Sequence, residues 1–87
     1  MSAKYRILVS RRAKQALQKL QRRDQQRINA AITLLADDPR PPKCVALSGE
    51  KSVYRVRVGD FRIIYEVRDS VLIIHVMTLG HRRDVYR

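Results

Sequence analysis

Hydrophobic and polar positions repeat with two different periods along this 87-residue chain. In the N-terminal half, apolar residues recur every three or four positions, which is the period of an amphipathic helix. In the C-terminal half they alternate with polar residues, which is the period of a half-buried strand. A short apolar run over residues 5–9 precedes the helical part and predicts a first strand. The chain is therefore expected to run strand, helices, sheet.

Two helices are predicted between residues 10 and 38. Ser10 is a candidate N-cap for the first helix and Asp24 for the second. The second helix is expected to end at Asp38, because the residue before Pro39 is pushed out of the α region. The apolar stripes are Ala13, Ala16, Leu17 and Leu20 in the first helix and Ile28, Ala31, Ile32 and Leu35 in the second. Since each helix has one apolar face, the two form a hairpin that needs a sheet to cover it.

Three strands follow a loop over residues 40–52. The first two are Val53–Val58 and Phe61–Arg68, joined by a two-residue hairpin turn at residues 59–60. A tight turn at residues 69–70 leads into a last strand over residues 71–79, which Gly80 is expected to end. The predicted fold is α+β with the order βααβββ, a small twisted, mainly antiparallel sheet packed on an N-terminal helical hairpin. At this length we expect one domain, residues 1–87.

The first hairpin sorts the strand residues into two faces. A two-residue turn at Gly59 places Val58 opposite Phe61 and Arg57 opposite Arg62, and directly opposed residues share a face. One face is apolar and is predicted to be the core: Tyr54, Val56, Val58, Phe61, Ile63, Tyr65 and Val67. The other face carries Arg55, Arg57 and Arg62, which we call the arginine face.

The second hairpin, interpreted in the same way, places Arg62 opposite Met77 and Ile64 opposite His75. His75 is then expected on the arginine face, whose arginine end is left open. Like charges directly opposed on a sheet are destabilising, so a cluster of arginines is favoured when a polyanion binds there. The alternative is that these are solvated arginines, each paired with Glu66 or Asp60.

The charge balance favours a polyanionic partner. The chain has 19 Lys and Arg against 8 Asp and Glu, a net charge of +11, and neutralised phosphates release counterions. A structural RNA binder or a merely basic surface would also explain this charge. Basic residues with an expected role in RNA binding cover the helical hairpin: Arg11, Arg12, Lys14, Lys19, Arg22, Arg23 and Arg27.

Cysteine and histidine usage excludes several kinds of site. Cys44 is the one cysteine, so no disulfide can form within the chain, and with two histidines a structural zinc site is not expected. No run of 18 apolar residues and no signal peptide is found. We expect a cytoplasmic protein without metal, cofactor or membrane contact.

The C-terminal residues offer groups for RNA cleavage. Transesterification needs a base at the 2′-OH, charge stabilisation at the phosphate and an acid for the 5′-oxygen. Arginines such as Arg82 suit the second role but stay protonated. The candidates for moving protons are His81, Tyr86 and, less favourably, His75.

Four segments give the chain a resemblance to the RelE family of toxins. They are Tyr54-Arg55-Val56-Arg57, residues 59–67, Leu79-Gly80-His81-Arg82 and Val85-Tyr86-Arg87. The resemblance covers nearly the whole chain. It implies an endoribonuclease that acts without metal, cleaves mRNA in the ribosomal A site and so inhibits translation. It also implies contact with ribosomal RNA, an acidic RelB-like antitoxin, and operator DNA bound by the toxin–antitoxin complex.

The same resemblance implies roles for individual residues. It assigns the basic strand pair to Arg55 and Arg57, and further site positions to Arg62, Arg82 and Tyr86. RelE toxins carry lysines in the strand pair, one of them proposed as the general base, whereas this chain has two arginines. Because arginine gives up a proton far less readily than lysine, the proton carrier is left open here. The alternatives to this function are a ParE-like toxin that poisons gyrase and a non-catalytic RNA- or DNA-binding module.

Overall fold

The computed structural model describes residues 4–47, 49 and 51–81. The elements are β1 Arg6–Val9, α1 Arg11–Gln18, α2 Arg22–Asp37, β2 Val45–Ala46, β3 Val53–Val58, β4 Phe61–Arg68, a 3₁₀ turn Asp69–Val71 and β5 Ile73–His81. Neither helix is long and apolar enough to cross a membrane.

The five strands form one sheet in the order β1-β5-β4-β3-β2. β1 pairs with β5 in parallel, and the other three pairs are antiparallel. The predicted α+β fold with a mainly antiparallel sheet is thereby confirmed. The structure adds the edge strand β2, inside the stretch predicted to be a loop, where two residues are too few to show an alternating pattern.

Ser10 fixes the start of α1 against the sheet. Its hydroxyl accepts a hydrogen bond from the Ala13 backbone N–H at 3.0 Å and donates one to the Met77 carbonyl of β5 at 2.6 Å. The predicted cap at Asp24 is wrong, because α2 already begins after Gln21, which makes no side-chain cap. Asp24 lies in the first turn of α2, where its carboxylate interacts favourably with the positive end of the helix dipole.

The helices cover one face of the sheet and enclose the core there. Ile63, Tyr65 and Ile74 are fully buried between the layers, together with Ile28 of α2 and Ala13 of α1. All seven residues of the predicted core face are buried or packed against the core. The period-two pattern of β3 and β4 thus identified the core side of the sheet correctly, and with it the opposite side that carries the arginines.

The predicted pairing of β4 with β5 is wrong by a shift that the structure explains. Arg62 lies opposite Gly80 rather than Met77, and Ile64 lies opposite Thr78 rather than His75. The turn accounts for two of the three residues of this shift, because it spans residues 69–72 instead of 69–70 and Arg68 therefore pairs with Ile73. A β-bulge at Ile64/Tyr65 accounts for the third, since it adds one residue to β5 relative to β4.

Both predicted ends of the last strand also differ. The turn at residues 69–70 is a 3₁₀ turn followed by Leu72 at a left-handed φ of 54°, so β5 begins at Ile73. At the other end β5 continues through Gly80 to His81, because both residues keep pairing with β4. Gly80 therefore does not end the strand.

A polar cluster ties together the end of the sheet away from the Gly59 turn. Arg40 donates to both Asp69 carboxylate oxygens, at 2.6 and 3.3 Å, and to the Tyr54 hydroxyl at 2.9 Å. The Tyr5 hydroxyl donates to Asp69 at 2.6 Å. The hydrogen bonds from Arg40 and then Tyr5 hold the pKa of the Asp69 carboxyl below its usual value. This cluster joins the loop after α2 to β1, β3 and the turn before β5.

Candidate functional site

The arginine face forms as predicted from the first hairpin. Arg57 and Arg62 are direct cross-strand partners, and Arg55 lies two pairs further along on the same face, opposite Ile64. The three guanidinium groups differ in exposure: Arg57 is exposed, Arg55 is half-buried and Arg62 is only 4% exposed. The expectation that the arginine end of this face is open therefore holds for Arg57 and is wrong for Arg62, whose side chain is buried.

A groove next to the Gly59 turn contains two of these arginines, Arg55 and Arg57. Its volume is about 480 Å³, and it is lined by Lys43, Val45, Arg55, Arg57 and Gly59. We call it the arginine groove. Lys43 enters it because β2 pairs Val45 with Arg55 and so brings the loop before β2 alongside β3. No pattern in the sequence indicated Lys43, since it lies in a proline-rich stretch without periodicity.

The arginine groove is strongly positive. Three cationic side chains and no acidic one line it. Glu66, one of the alternative partners considered for the arginines, pairs with Arg68 at 3.0 Å instead. No ion pair or side-chain hydrogen bond involves Arg57 within the described residues. A groove of this kind suits a phosphate, for which the planar guanidinium provides paired donors.

The helical hairpin presents its cations to solvent. All seven basic residues predicted to contact RNA are exposed: Arg11, Arg12, Lys14, Lys19, Arg22, Arg23 and Arg27. Arg27 also packs on the β3–β4 turn, so closely that a Cβ added to Gly59 would lie 2.9 Å from its Nη2. Arg27 therefore lies at the same end of the sheet as the arginine groove.

His81 lies apart from the arginines. It is opposite Phe61, and the two rings meet edge to face, with centroids 5.8 Å apart at 83°. Phe61 belongs to the face that the helices cover, so His81 shares that face and not the arginine face. His75 is on the arginine side but opposite Glu66, toward the other end of β4.

The remaining predicted residues, Arg82 and Tyr86, lie outside the described residues. The structure thus brings together Arg55, Arg57 and Arg62, adds Lys43, and separates His81. In the described part of the chain, no three His, Cys, Asp or Glu side chains come together as a metal site would require.

Sequence comparison relates nearly the whole chain to toxins. The family described as ParE toxin of the type II toxin–antitoxin system parDE matches residues 7–86. A RelE-like toxin protein of Escherichia coli is 33% identical over 87 residues, covering 95% of this chain and 90% of the relative.

Solved structures show the same fold. A chain of the archaeal RelE–RelB complex from Pyrococcus horikoshii OT3 aligns with a TM-score of 0.82 at 28% identity, covering 91% of this chain and 96% of that one. A chain of the RelBE2 toxin–antitoxin complex from Mycobacterium tuberculosis also reaches 0.82, at 20% identity, covering 94% and 95%. At such low identity the second likeness concerns the fold alone.

Proposed function

Because this chain belongs to the RelE/ParE superfamily of type II toxin–antitoxin toxins, we propose that it is a ribosome-dependent endoribonuclease that cleaves mRNA in the ribosomal A site. The observation that supports this most is the arginine groove, where Lys43, Arg55 and Arg57 meet without an acidic neighbour. The buried Arg62 is the direct partner of Arg57 on the neighbouring strand. Cleavage in the cytoplasm, on translating ribosomes, would stop protein synthesis.

The reaction requires charge stabilisation at the scissile phosphate. The 2′-oxygen attacks phosphorus, the bond to the 5′-oxygen breaks, and negative charge accumulates on the phosphate oxygens. Arg55, Arg57 and Arg62 carry fixed positive charge at that place, which stabilises the transition state more than the ground state. Arg82 is proposed to act with them.

The proton transfers need a group that gives up its proton more readily than arginine does, because arginine stays protonated. Lysine is the basic side chain used as a general base in proteins. Lys43 is the lysine lining the arginine groove, so we propose Lys43 for the proton transfer at the 2′-oxygen. Tyr86 is proposed to serve the leaving 5′-oxygen. His81, on the other face, is the least suited of the predicted proton carriers.

Primer extension on a translated mRNA tests the activity. The purified chain should produce cuts in phase with codons, and only when ribosomes are present. Single-turnover cleavage on programmed ribosomes then tests the residues. Arg57→Ala and Arg62→Ala should each reduce the rate by about 10²–10³, as loss of one preorganised donor does. Cleavage at the wild-type rate by both variants would remove the arginine face from the mechanism.

Substitutions at Lys43 separate its charge from its proton. Lys43→Arg keeps the positive charge but not the ability to lose a proton, and we expect it to cleave as poorly as Lys43→Met. Lys51→Arg is the matched control, since Lys51 is an exposed residue before β3, away from the Gly59 turn. If Lys43→Arg cleaves normally, Lys43 contributes charge alone and the proton carrier is another group.

Poisoning of DNA gyrase is the second candidate function, because the matching family is the ParE toxins. This activity would depend on contact with a protein target and not on the arginine groove. Incubation of the chain with gyrase and supercoiled plasmid decides the question. Accumulation of cleaved DNA that Arg57→Ala does not diminish would favour gyrase over RNA.

The proposed partner is an acidic, RelB-like antitoxin. The structures that share this fold include RelE–RelB and RelBE complexes, and a chain of net charge +11 is best neutralised by an acidic one. The complex is also proposed to bind its operator DNA. Co-purification with the product of the neighbouring gene tests the pairing, and growth arrest that such a product fails to relieve would contradict it.

The exposed cations of the helical hairpin are proposed to contact ribosomal RNA. Replacing three of them, Arg11, Arg22 and Arg23, with glutamate should weaken ribosome binding and flatten its salt dependence, which reports the number of phosphate contacts. Ribosome binding that is unchanged across a salt series would make this surface merely solvated.

A further inference from the structure

A second basic pocket lies on the helix side of the sheet, where α1 meets the adjoining ends of β4 and β5. Its volume is about 350 Å³. Arg12, Gln15 and Lys19 of the α1 segment form one side, Phe61 and His81 form the other, and small or aliphatic side chains form the floor. We call it the corner pocket. It is separate from the arginine groove, with which it shares no lining residue.

We propose that the corner pocket binds one unstacked nucleobase of a single-stranded RNA, whose adjacent phosphates contact Arg12 and Lys19. This inference rests on RNA being the substrate proposed above, and it adds a binding site on the face opposite the arginines. It also gives His81 a role in binding instead of proton transfer.

The rings of Phe61 and His81 provide the stacking surface. They meet edge to face at 83°, so the edge of one ring points at a face of the other, and this contact does not cover the two faces of the edge-on ring. His81 is exposed at the end of β5, and Phe61 is half-buried. A planar base can lie against such a ring, and bases extruded from single strands are commonly bound in this way.

The polar groups of the corner pocket complement a nucleotide. Arg12 and Lys19 are exposed cations, and no acidic residue lines the pocket. Seven residues apart along a helical segment, they are separated by about 10 Å, which leaves Gln15 between them. The Gln15 amide has both donors and an acceptor, as recognition of a base edge requires.

The size of the corner pocket favours a base over a peptide helix. Small-molecule sites commonly measure about 300–1,000 Å³, and this pocket lies near the lower limit. An amphipathic helix instead needs an extended groove with several apolar positions in line. A single planar group between two cations is the better fit.

The two basic sites lie at the same end of the sheet. Gly59 lines the arginine groove and Phe61, two residues later, lines the corner pocket. Arg27 packs on the turn between them. An RNA strand whose phosphate lies in the arginine groove can therefore continue over the end of the sheet and place a neighbouring base in the corner pocket.

Binding of a short single-stranded RNA tests the inference without cleavage. The probe is a fluorescent oligonucleotide with 2′-O-methyl groups, which lacks the attacking hydroxyl. His81→Ala should weaken binding by about 5- to 100-fold, the usual range for loss of one stacked base. His81→Phe should recover most of the loss. Arg12→Gln and Lys19→Gln should each lower the salt slope by about one, which Lys51→Gln, matched in charge, should not do.

An oligonucleotide series with one base removed at successive positions identifies the bound base. At one position of the series, removal of the base should weaken binding to the wild type. The wild type and His81→Ala should then bind that oligonucleotide with the same affinity. The inference is overturned if His81→Ala binds like Lys51→Gln, or if corner-pocket variants lose affinity only for an acidic peptide. Loss of cleavage in Arg57→Ala with unaltered RNA binding in His81→Ala would overturn this inference alone and leave the proposed function standing.

Discussion

Replacing Gly59 by alanine should destabilise the protein through its backbone. Gly59 has a φ of +60°, whereas Asp60 has no positive φ, a combination that marks a type II′ hairpin turn. A residue with a Cβ meets its own carbonyl in that conformation, at a cost of about 1–2 kcal/mol. For a domain of this size each kcal/mol lowers Tm by about 4–8 °C, so we expect a drop of roughly 4–16 °C.

The added methyl group would also meet Arg27. Its Cβ would lie 2.9 Å from Nη2 and 3.2 Å from Nη1 of that guanidinium. Because these atoms are the far end of a flexible side chain, Arg27 can swing away at little cost. The backbone strain should therefore persist when Arg27 is truncated, and Gly59→Ala and Arg27→Ala should be additive within about 0.5 kcal/mol.

Urea denaturation of the wild type, both single variants and the double variant measures both quantities. Asp60→Ala is the matched control, since it changes the neighbouring exposed turn position and should stay within about 0.5 kcal/mol of the wild type. A Gly59→Ala variant as stable as the wild type would refute the backbone argument. Coupling well above 0.5 kcal/mol would show that the contact with Arg27 dominates instead.

The helix cap, the salt bridge and the opposed arginines lead to three further measurable changes. Ser10→Ala removes the cap of α1 and should lower the free energy of unfolding by about 1–2 kcal/mol; an unchanged urea midpoint would contradict this. Asp69→Asn should be less stable than the wild type at pH 7, because contact with Arg40 lowers the pKa of Asp69 in the folded state. That difference in stability should vanish as the pH falls from about 4, the pKa of the Asp69 carboxyl in the unfolded state, through its lower pKa in the folded state. A difference that persists near pH 2 would contradict this explanation. Arg57→Gln should raise the free energy of unfolding by about 0.2–1 kcal/mol by removing the like charge opposite Arg62, with a smaller gain in high salt; a loss of stability would show that the opposed charges cost nothing.

The first hairpin was predictable because two independent signals agree there. The alternation through Val53–Val58 and Phe61–Arg68 assigns each residue to a face, and Gly59 fixes the turn that sets the pairing. From these alone the core side and the arginine face follow. The burial of Arg62 did not follow, because a pattern of alternation gives the direction of a side chain and not how deeply its neighbours enclose it.

The pairing of β4 with β5 was not predictable from the same pattern. Val76, Met77 and Leu79 are all apolar, so the sequence does not show which of two alternations continues. A bulge resolves the conflict by leaving Met77 exposed while Val76 and Leu79 are buried. The position of Lys43 was hidden for a related reason, since it depends on the pairing of a two-residue strand with β3.

The bulge makes the two halves of β5 run out of phase. Before it, the even-numbered Ile74 and Val76 face the helices, and after it the odd-numbered Leu79 and His81 do. If β5 alternated without interruption, His81 would lie on the same face as His75, toward the arginines. The one extra residue of the bulge thus decides which of the two basic sites the last side chain of β5 joins.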